Sequence, residues 1–161
     1  MPVDVRPPEP DEVETVAELW VALAADQRAH GSHLLPDANR AAVRETLARL
    51  LVVGGLRVAV PEGTAEPVGF VSFALDAGRY EQDCRRGAVR NLYVRPDHRG
   101  CGVGGRLLDA AERALADEGA DVVALEAMAA NDDARRFYER RGYAPHRVEF
   151  EKRVESDTRR D

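Results

Sequence analysis

Four glycines within the six residues 100–105 interrupt the middle of the chain. This density is too high for a helix interior, where each glycine costs about 1 kcal/mol relative to alanine. Ala88–Val94, before the glycines, carries the apolar residues Val89, Leu92, Tyr93 and Val94, and apolar residues recur at helical spacing from Val103 after them. Pro96 should end the first segment because proline cannot donate a hydrogen bond to a neighbouring strand. The pattern therefore predicts a strand, a glycine-rich loop and a helix, in that order.

The start of this helix is predicted to bind an anion. Glycines have no Cβ, so they allow tight turns and let a ligand approach the backbone amides closely. The first N–H groups of a helix lack partners within the helix and lie at the positive end of its dipole. Phosphate is the anion that such a terminus most naturally binds.

One candidate phosphate ligand is a dinucleotide. Gly100, Gly102 and Gly105 satisfy the G-x-G-x-x-G pattern, and Glu126 lies about twenty residues further on. In dinucleotide-binding folds, however, the first glycine follows its strand almost immediately. Here the residues 95–99 intervene, and too little chain follows to complete a doubly wound sheet. The nucleoside-triphosphate loop is also excluded, because no Gly-Lys-Ser/Thr is present.

Two motifs resemble the signatures of the GNAT superfamily of acyl-CoA-dependent N-acetyltransferases. The central motif, Gln/Arg-x-x-Gly-x-Gly/Ala, is matched by Arg99, Gly102 and Gly104. The string Leu92–Pro96 that precedes it is also typical of the family. The second motif, N-x-x-A-x-x-F-Y-x-x-x-G-F/Y, is matched by Asn131, Ala134, Phe137, Tyr138, Gly142 and Tyr143. Together, and in this order, the two motifs indicate membership of the superfamily.

The resemblance implies an α/β (α+β) fold of the GNAT type. We expect a mixed, mostly antiparallel twisted sheet of about six to seven strands, about four flanking helices and a splayed parallel central strand pair. Residues 1–153 should form a single domain, and 154–161 a disordered tail. The apolar patterns predict helices over 10–30, from Asp37 or Asn39 to Gly54, over 103–118 and over 131–140. They predict strands at 3–6, 56–60, 68–75, 88–94, 121–128 and 143–153.

The resemblance also implies acetyl-CoA as a co-substrate. The diphosphate would bind the amides of residues 100–105, and Arg99 would add positive charge. Arg106 would either add charge as well or be an ordinary surface arginine, and the two alternatives are equally favoured. The main chain of Leu92 and Val94 would pair with the pantetheine arm, while Asn131 would either bind that arm or cap its helix. The residues expected to bind acetyl-CoA are Leu92, Tyr93, Val94, Arg99, Gly100, Cys101, Gly102, Val103, Gly104, Gly105, Asn131 and Tyr138.

Tyr138 is the expected catalytic residue. A phenol, with a pKa near ~10, is protonated at neutral pH and can donate to the leaving thiolate of CoA, whose thiol has a pKa near ~8.5. The alternative is a purely structural tyrosine at the edge of the core.

The general base is left open by the sequence. Many family members carry a glutamate on the central strand, but Ala88, Arg90 and Asn91 occupy the corresponding positions. Glu126, Glu81, Asp83 and a water relay are the alternatives. Four other polar residues either contact the acceptor or form a solvated surface: Asp26, His30, His33 and Glu45. We favour the solvated surface for these four.

Composition limits the classes of partner. The net charge of -6 argues against nucleic-acid binding and mildly favours cationic amines. No apolar run is long enough to span a bilayer and the N-terminus lacks a signal pattern, so we expect a cytoplasmic protein without membrane contact. Cys84 and Cys101 lack metal-site spacing, so no metal is expected.

These observations lead to a functional hypothesis with one rival. The hypothesis is an N-acetyltransferase that acts on a small amine or a protein amino group, with a homodimer allowed. The rival is a catalytically silent CoA-binding sensor or interaction module of the same fold.

Overall fold

The computed structural model describes residues 2–155. Its contacts divide the chain into two compact units, Met1–Ala130 and Asn131–Asp161. The single domain over 1–153 stays a prediction. The predicted tail at 154–161 lies mostly outside the described residues, and Val154 and Glu155 have no regular secondary structure.

The first unit contains five strands and three helices. The strands are β1 (Val3–Arg6), β2 (Leu56–Pro61), β3 (Gly69–Leu75), β4 (Arg86–Val94) and β5 (Val122–Ala124). The helices are α1 (Val13–Arg28), α2 (Arg40–Val53) and α3 (Val103–Asp117). Short 3-10 turns lie at Pro10–Glu12, Asp37–Asn39 and Pro96–His98. The predicted order of strand, glycine loop and helix is confirmed for β4 and α3.

The five strands form one mixed sheet in the order β1-β2-β3-β4-β5. The first four strands are antiparallel neighbours, whereas β4 and β5 run parallel. The parallel pairing runs from Arg86 opposite Val122 to Ala88 opposite Ala124 and ends there. The predicted mixed, mostly antiparallel sheet is therefore confirmed, but the expected six to seven strands are corrected to five within residues 2–155.

Helices cover both faces of this sheet. Phe70 of β3 belongs to a buried cluster with residues of α1 and α2, including Leu19, Trp20 and Leu47. Its neighbour Gly69 faces the opposite way, because successive strand residues alternate between faces. A Cβ built on Gly69 would lie 3.2 Å from the Leu107 side chain, so α3 packs on this second face. The two faces together place β3 and β4 at the centre of the core.

Over residues 131–155, the described part of the second unit, there is one helix, α4 (Asp132–Arg140). The strand predicted over Tyr143–Arg153 is wrong, because residues 143–153 have no strand and Phe150 is 91% exposed. The strand predicted over Asp121–Met128 is also too long, since β5 covers only Val122–Ala124. Apolar alternation specifies a face of a strand but does not supply the hydrogen-bonding partner that a strand requires.

Candidate functional site

The glycine loop has a backbone that requires glycine at two positions. Gly100 and Gly102 have φ values of 80° and 89°, in the left-handed region where a side chain is strained. A Cβ built at either residue would meet nothing within 4 Å. The space beside these two glycines is therefore not filled by other parts of the protein.

The N-terminus of α3 lies directly after this loop. Gly102 is the N-cap residue and has no side chain to satisfy the following amides. The first helical hydrogen bond is donated by the amide of Arg106 to the Gly102 carbonyl, at 3.1 Å. Cys101 is exposed within the loop, and its Sγ donates to the His98 carbonyl at 3.1 Å. Val103 is buried, so its contribution to a ligand would come from its main chain.

The edge of β4 before the loop is open on one side. The amide of Arg95 donates to the Val68 carbonyl at 2.8 Å, so Arg95 directs its backbone groups towards β3. Backbone groups of successive residues in an antiparallel strand face opposite sides, so those of Val94, and of Leu92 two residues before it, face away from β3. The partner on that side, β5, pairs only as far as Ala88. The Val94 carbonyl on this side accepts from Arg99 Nε at 2.7 Å, so a pantetheine arm paired with Leu92 and Val94 would share that oxygen with Arg99. Tyr93, in contrast, buries its side chain in the core.

Arg99 is held by the protein on three sides. Its Nε donates to the Val94 carbonyl at 2.7 Å, and its Nη2 lies 3.2 Å from Oδ2 of Asp26. Its Cζ lies 5.3 Å from the centroid of the Tyr93 ring. Burial, and secondarily the charge of Asp26, raises the pKa of Tyr93, so this phenol stays neutral. Sequence reasoning had treated Arg99 as a charge for the diphosphate and Asp26 as a solvated residue.

Arg106, in contrast, is bound to β1. Its Nη1 donates to the carbonyl oxygen of Val3. This contact accounts for a cation in the first turn of α3 without a bound anion.

A bulge and a polar pair occupy the part of β4 where many family members carry a glutamate. Ser72 pairs with Asn91 and Phe73 with Val89, so Arg90 is an extra residue. Ser72 is 1% exposed, and its Oγ donates to Oδ1 of Asn91 at 2.9 Å. Sequence reasoning missed this pair. The available signal was Ser72 itself, a lone hydroxyl in a strand of otherwise apolar residues.

The candidate general bases are all exposed. Glu126 lies after the end of β5, and Glu81 and Asp83 lie in the segment between β3 and β4. Of the other polar residues considered for the acceptor, Glu45 and His33 are exposed and His30 is half-buried. Within residues 2–155, no group of three His, Cys, Asp or Glu side chains is placed to hold a metal ion. In the same range, no helix has the length and apolar character needed to cross a bilayer.

In the second unit, Asn131 caps α4. Its Oδ1 accepts a hydrogen bond from the amide of Ala134 at 3.1 Å. This is one of the two roles considered for Asn131. The cap uses only the side-chain oxygen, so the amide NH2 group can still donate to a ligand.

Tyr138 lies in the last turns of α4, within an aromatic cluster. Its ring centroid is 5.3 Å from that of Phe137 and 5.9 Å from that of Tyr143, both with edge-on geometry. Burial raises the pKa of the Tyr138 phenol above its ordinary value, because a phenolate would lose solvation. The hydroxyl therefore remains protonated at neutral pH, as a general acid must.

Solved structures with the same fold include several acetyltransferases. A GCN5-related N-acetyltransferase from Ralstonia eutropha is 27% identical, with a TM-score of 0.74 over 95% of this chain and 99% of that one. The aminoglycoside N-acetyltransferase AAC(6')-Iy in complex with CoA is 18% identical, with a TM-score of 0.71 over 94% and 95%. The NatC complex bound to Gag peptide and CoA is 20% identical, with a TM-score of 0.71 over 91% and 87%. The last two, at this identity, show the fold alone.

A search of curated protein sequences found no match. The family model described as "Acetyltransferase (GNAT) family" matches residues 24–143, which include both motifs and all of the residues expected to bind acetyl-CoA. This match covers well over half of the chain, and the chain therefore belongs to the GNAT acetyltransferase family.

Proposed function

We propose that this chain is an N-acetyltransferase that transfers the acetyl group of acetyl-CoA to a primary amine by direct attack in a ternary complex. The observation that carries most weight is the open edge of β4. Backbone groups of Leu92 and Val94 face away from β3, and β5 pairs no further than Ala88. The glycine loop and the uncapped start of α3 follow within a few residues. A donor with an amide-containing arm and a diphosphate suits these two features in this order.

The residues present fit acetyl-CoA, which supplies a reactive acyl thioester. The amides at the start of α3 would bind the diphosphate, where the helix dipole favours negative charge. The main chain of Leu92 and Val94 would bind the pantetheine arm as an added strand, and an N–H there would polarise the thioester carbonyl. These interactions hold the donor in one orientation, so that the amine needs only to approach its carbonyl carbon.

Tyr138 is proposed as the general acid. The new bond forms between the amine nitrogen and the carbonyl carbon, the nitrogen releases its remaining extra proton to water, and the carbon–sulfur bond breaks. The Tyr138 hydroxyl gives its proton to the leaving thiolate and later regains one from solvent. The raised pKa of Tyr138 keeps this proton in place until the sulfur carries charge.

The amine must lose a proton before it attacks, because an alkylammonium has no free electron pair and a pKa near ~10.4. The pair formed by Ser72 and Asn91 contains no carboxylate, so the strand itself offers no base there. We propose that a water relay removes this proton, with Glu126, Glu81 or Asp83 as its outlet to solvent.

Calorimetric titration with acetyl-CoA tests the proposal. We expect saturable binding. In a separate alkylation assay, acetyl-CoA should protect the exposed Cys101, and the half-buried Cys84 is the comparison thiol in the same sample. Absence of binding at millimolar acetyl-CoA would reject the proposed function.

A second candidate is a CoA-binding sensor without turnover, which the neutral pair of Ser72 and Asn91 favours. A panel of small amines and lysine peptides, assayed for release of free CoA, separates the two. Release above the rate without acceptor supports the enzyme. Tight CoA binding with no acceptor-dependent release supports the sensor.

A further inference from the structure

Asp26 and Arg99 are joined across 73 positions of the sequence. We propose that they are positioning residues for the acetyl-CoA loop: Asp26 holds the Arg99 side chain, and Arg99 holds the main chain between Val94 and Gly100. This inference rests on the proposed function, since it assigns the two side chains a role in acetyl-CoA binding that acts through the conformation of the loop.

The contacts of Arg99 explain how it would hold the loop. The Arg99 Nε bond to the Val94 carbonyl closes the chain back over the 3-10 turn at Pro96–His98. Arg99 directly precedes Gly100, where φ is 80°. The direction of the first loop amides is therefore set at a residue whose side chain is anchored to the end of β4.

Asp26 connects this arrangement to a rigid element. It lies near the C-terminus of α1, a helix that buries Leu19, Trp20 and Ala24 in the core. The Asp26 carboxylate orients the guanidinium and also offsets its charge. The two side chains are about half exposed, at 52% and 48%. With its charge offset and its Nε already used, Arg99 suits positioning better than direct neutralisation of a diphosphate.

Charge alone would give the opposite effect of a mutation at Asp26. A carboxylate near an anionic ligand repels it, so Asp26→Asn should tighten CoA binding if Arg99 acts as a free cation. If Asp26 positions Arg99, the same change should weaken CoA binding. The direction of the change therefore distinguishes the two roles.

Arg99→Lys provides an independent comparison. Lysine keeps the positive charge but has one nitrogen, which cannot contact both the Val94 carbonyl and Asp26 in the way that the guanidinium does. A positioning role predicts that Arg99→Lys behaves like Arg99→Ala. A charge role predicts that it behaves like the wild type.

The experiment is calorimetric titration of the full chain with CoA. We expect CoA affinity to fall about fourfold in Asp26→Asn and about tenfold in both Arg99→Lys and Arg99→Ala. The double variant Asp26→Asn/Arg99→Ala should bind CoA no more weakly than Arg99→Ala, since both substitutions disrupt the same contact between Asp26 and Arg99. Glu14→Gln is the matched control, because it removes ion pairs of the same helix, to Arg40 and Arg44, and should leave CoA affinity unchanged.

Three results would count against these roles. Unchanged or tighter CoA binding by Asp26→Asn, or wild-type binding by Arg99→Lys, would overturn the positioning role while leaving the proposed function intact. Absence of CoA binding by the wild-type chain would instead reject both the positioning role and the proposed function. Thermal unfolding of each variant, followed by circular dichroism, confirms that the affinities compare folded proteins.

Discussion

Helices α3 and α4 begin in opposite ways. α3 starts after Gly102, which offers no capping side chain, and the first turn contains no acidic residue. α4 starts at Asn131, whose side chain caps the helix, and Asp132 and Asp133 lie in the first turn. A capping side chain satisfies a backbone amide, and carboxylates in the first turn offset the positive end of the helix dipole. The N-terminus of α4 is therefore closed to an anion by its own residues, whereas that of α3 has neither a capping side chain nor an acidic residue in its first turn.

This difference suggests that the two helices contribute to the reaction through different parts of the chain. α3 would contribute backbone amides, so changes of backbone conformation or local charge should affect it most. α4 would contribute a side chain, Tyr138, so removal of a single hydroxyl should matter there. Substitutions in the two helices and their caps test this division.

The largest effect is expected from Tyr138→Phe. Loss of the proton donor should lower kcat about a hundredfold, whereas CoA affinity should change by less than about twofold. Steady-state kinetics with a responsive amine and calorimetry with CoA measure the two quantities. Tyr80→Phe, at a tyrosine that is 80% exposed, is the control and should retain full activity. An equal loss of kcat and CoA affinity in Tyr138→Phe would contradict the division between the helices.

The pH dependence of the same variant sharpens this test. Burial raises the pKa of Tyr138 above its ordinary value, so the phenol stays protonated through neutral pH. No falling limb of kcat below about pH 9 should therefore come from Tyr138. The wild type and Tyr138→Phe should show the same profile shape up to pH ~9, with only the amplitude changed. A falling limb near neutral pH that disappears in Tyr138→Phe would show that the phenol titrates in that range.

The second prediction makes α3 resemble α4. Gly104→Asp places a carboxylate in the first turn of α3, as Asp132 and Asp133 do in α4. Repulsion of a diphosphate, about 4 kcal/mol at 4 Å near a protein surface before screening, should weaken CoA binding about thirtyfold relative to Gly104→Asn. Gly104→Asn has nearly the same size without the charge, so the ratio of the two dissociation constants isolates the electrostatic effect. Equal CoA affinity of the two variants would show that this terminus does not bind the diphosphate.

The third prediction separates loop shape from loss of stability. Gly102→Ala and Gly54→Ala both place a Cβ at a positive φ, 89° and 82°, with nothing within 4 Å. Both should lose about 1 kcal/mol of folding stability, seen as a Tm lower by about 3 °C. Only Gly102→Ala should lose CoA affinity, about tenfold, because Gly54 ends α2 and lies outside the loop. Comparable CoA affinity in the two variants would mean that the conformation of Gly102 is unimportant for the ligand.

The α3 side of this comparison could be predicted from the sequence, because its determinants are local. The glycine density predicted a tightly turning loop, in which the structure gives Gly100 and Gly102 left-handed backbone, and the helical spacing after Val103 predicted α3. The capping role of Asn131 was also one of the two roles considered, since asparagine before a helix accepts from an amide of the first turn.

Features that depend on distant partners were not predictable in the same way. The contact between Asp26 and Arg99 joins exposed polar residues far apart in sequence, and neither residue shows a pattern that indicates the other. The bulge at Arg90 arises from the register between β3 and β4. The strand predicted over 143–153 was wrong for a similar reason: alternation at Val148 and Phe150 specifies a face of a strand but not the neighbouring strand with which it would pair.

The smallest effect is expected at Asn131, where capping and ligand binding can be separated. Asn131→Ser keeps an oxygen that can cap α4 but removes the amide NH2 group, whereas Asn131→Ala removes both. Tm should fall by about 3 °C in Asn131→Ala and by less than about 1 °C in Asn131→Ser. If the NH2 group donates to the CoA arm, both variants should bind CoA about fourfold more weakly. Wild-type CoA affinity in Asn131→Ser would restrict this residue to its cap, and α4 would then contribute Tyr138 alone.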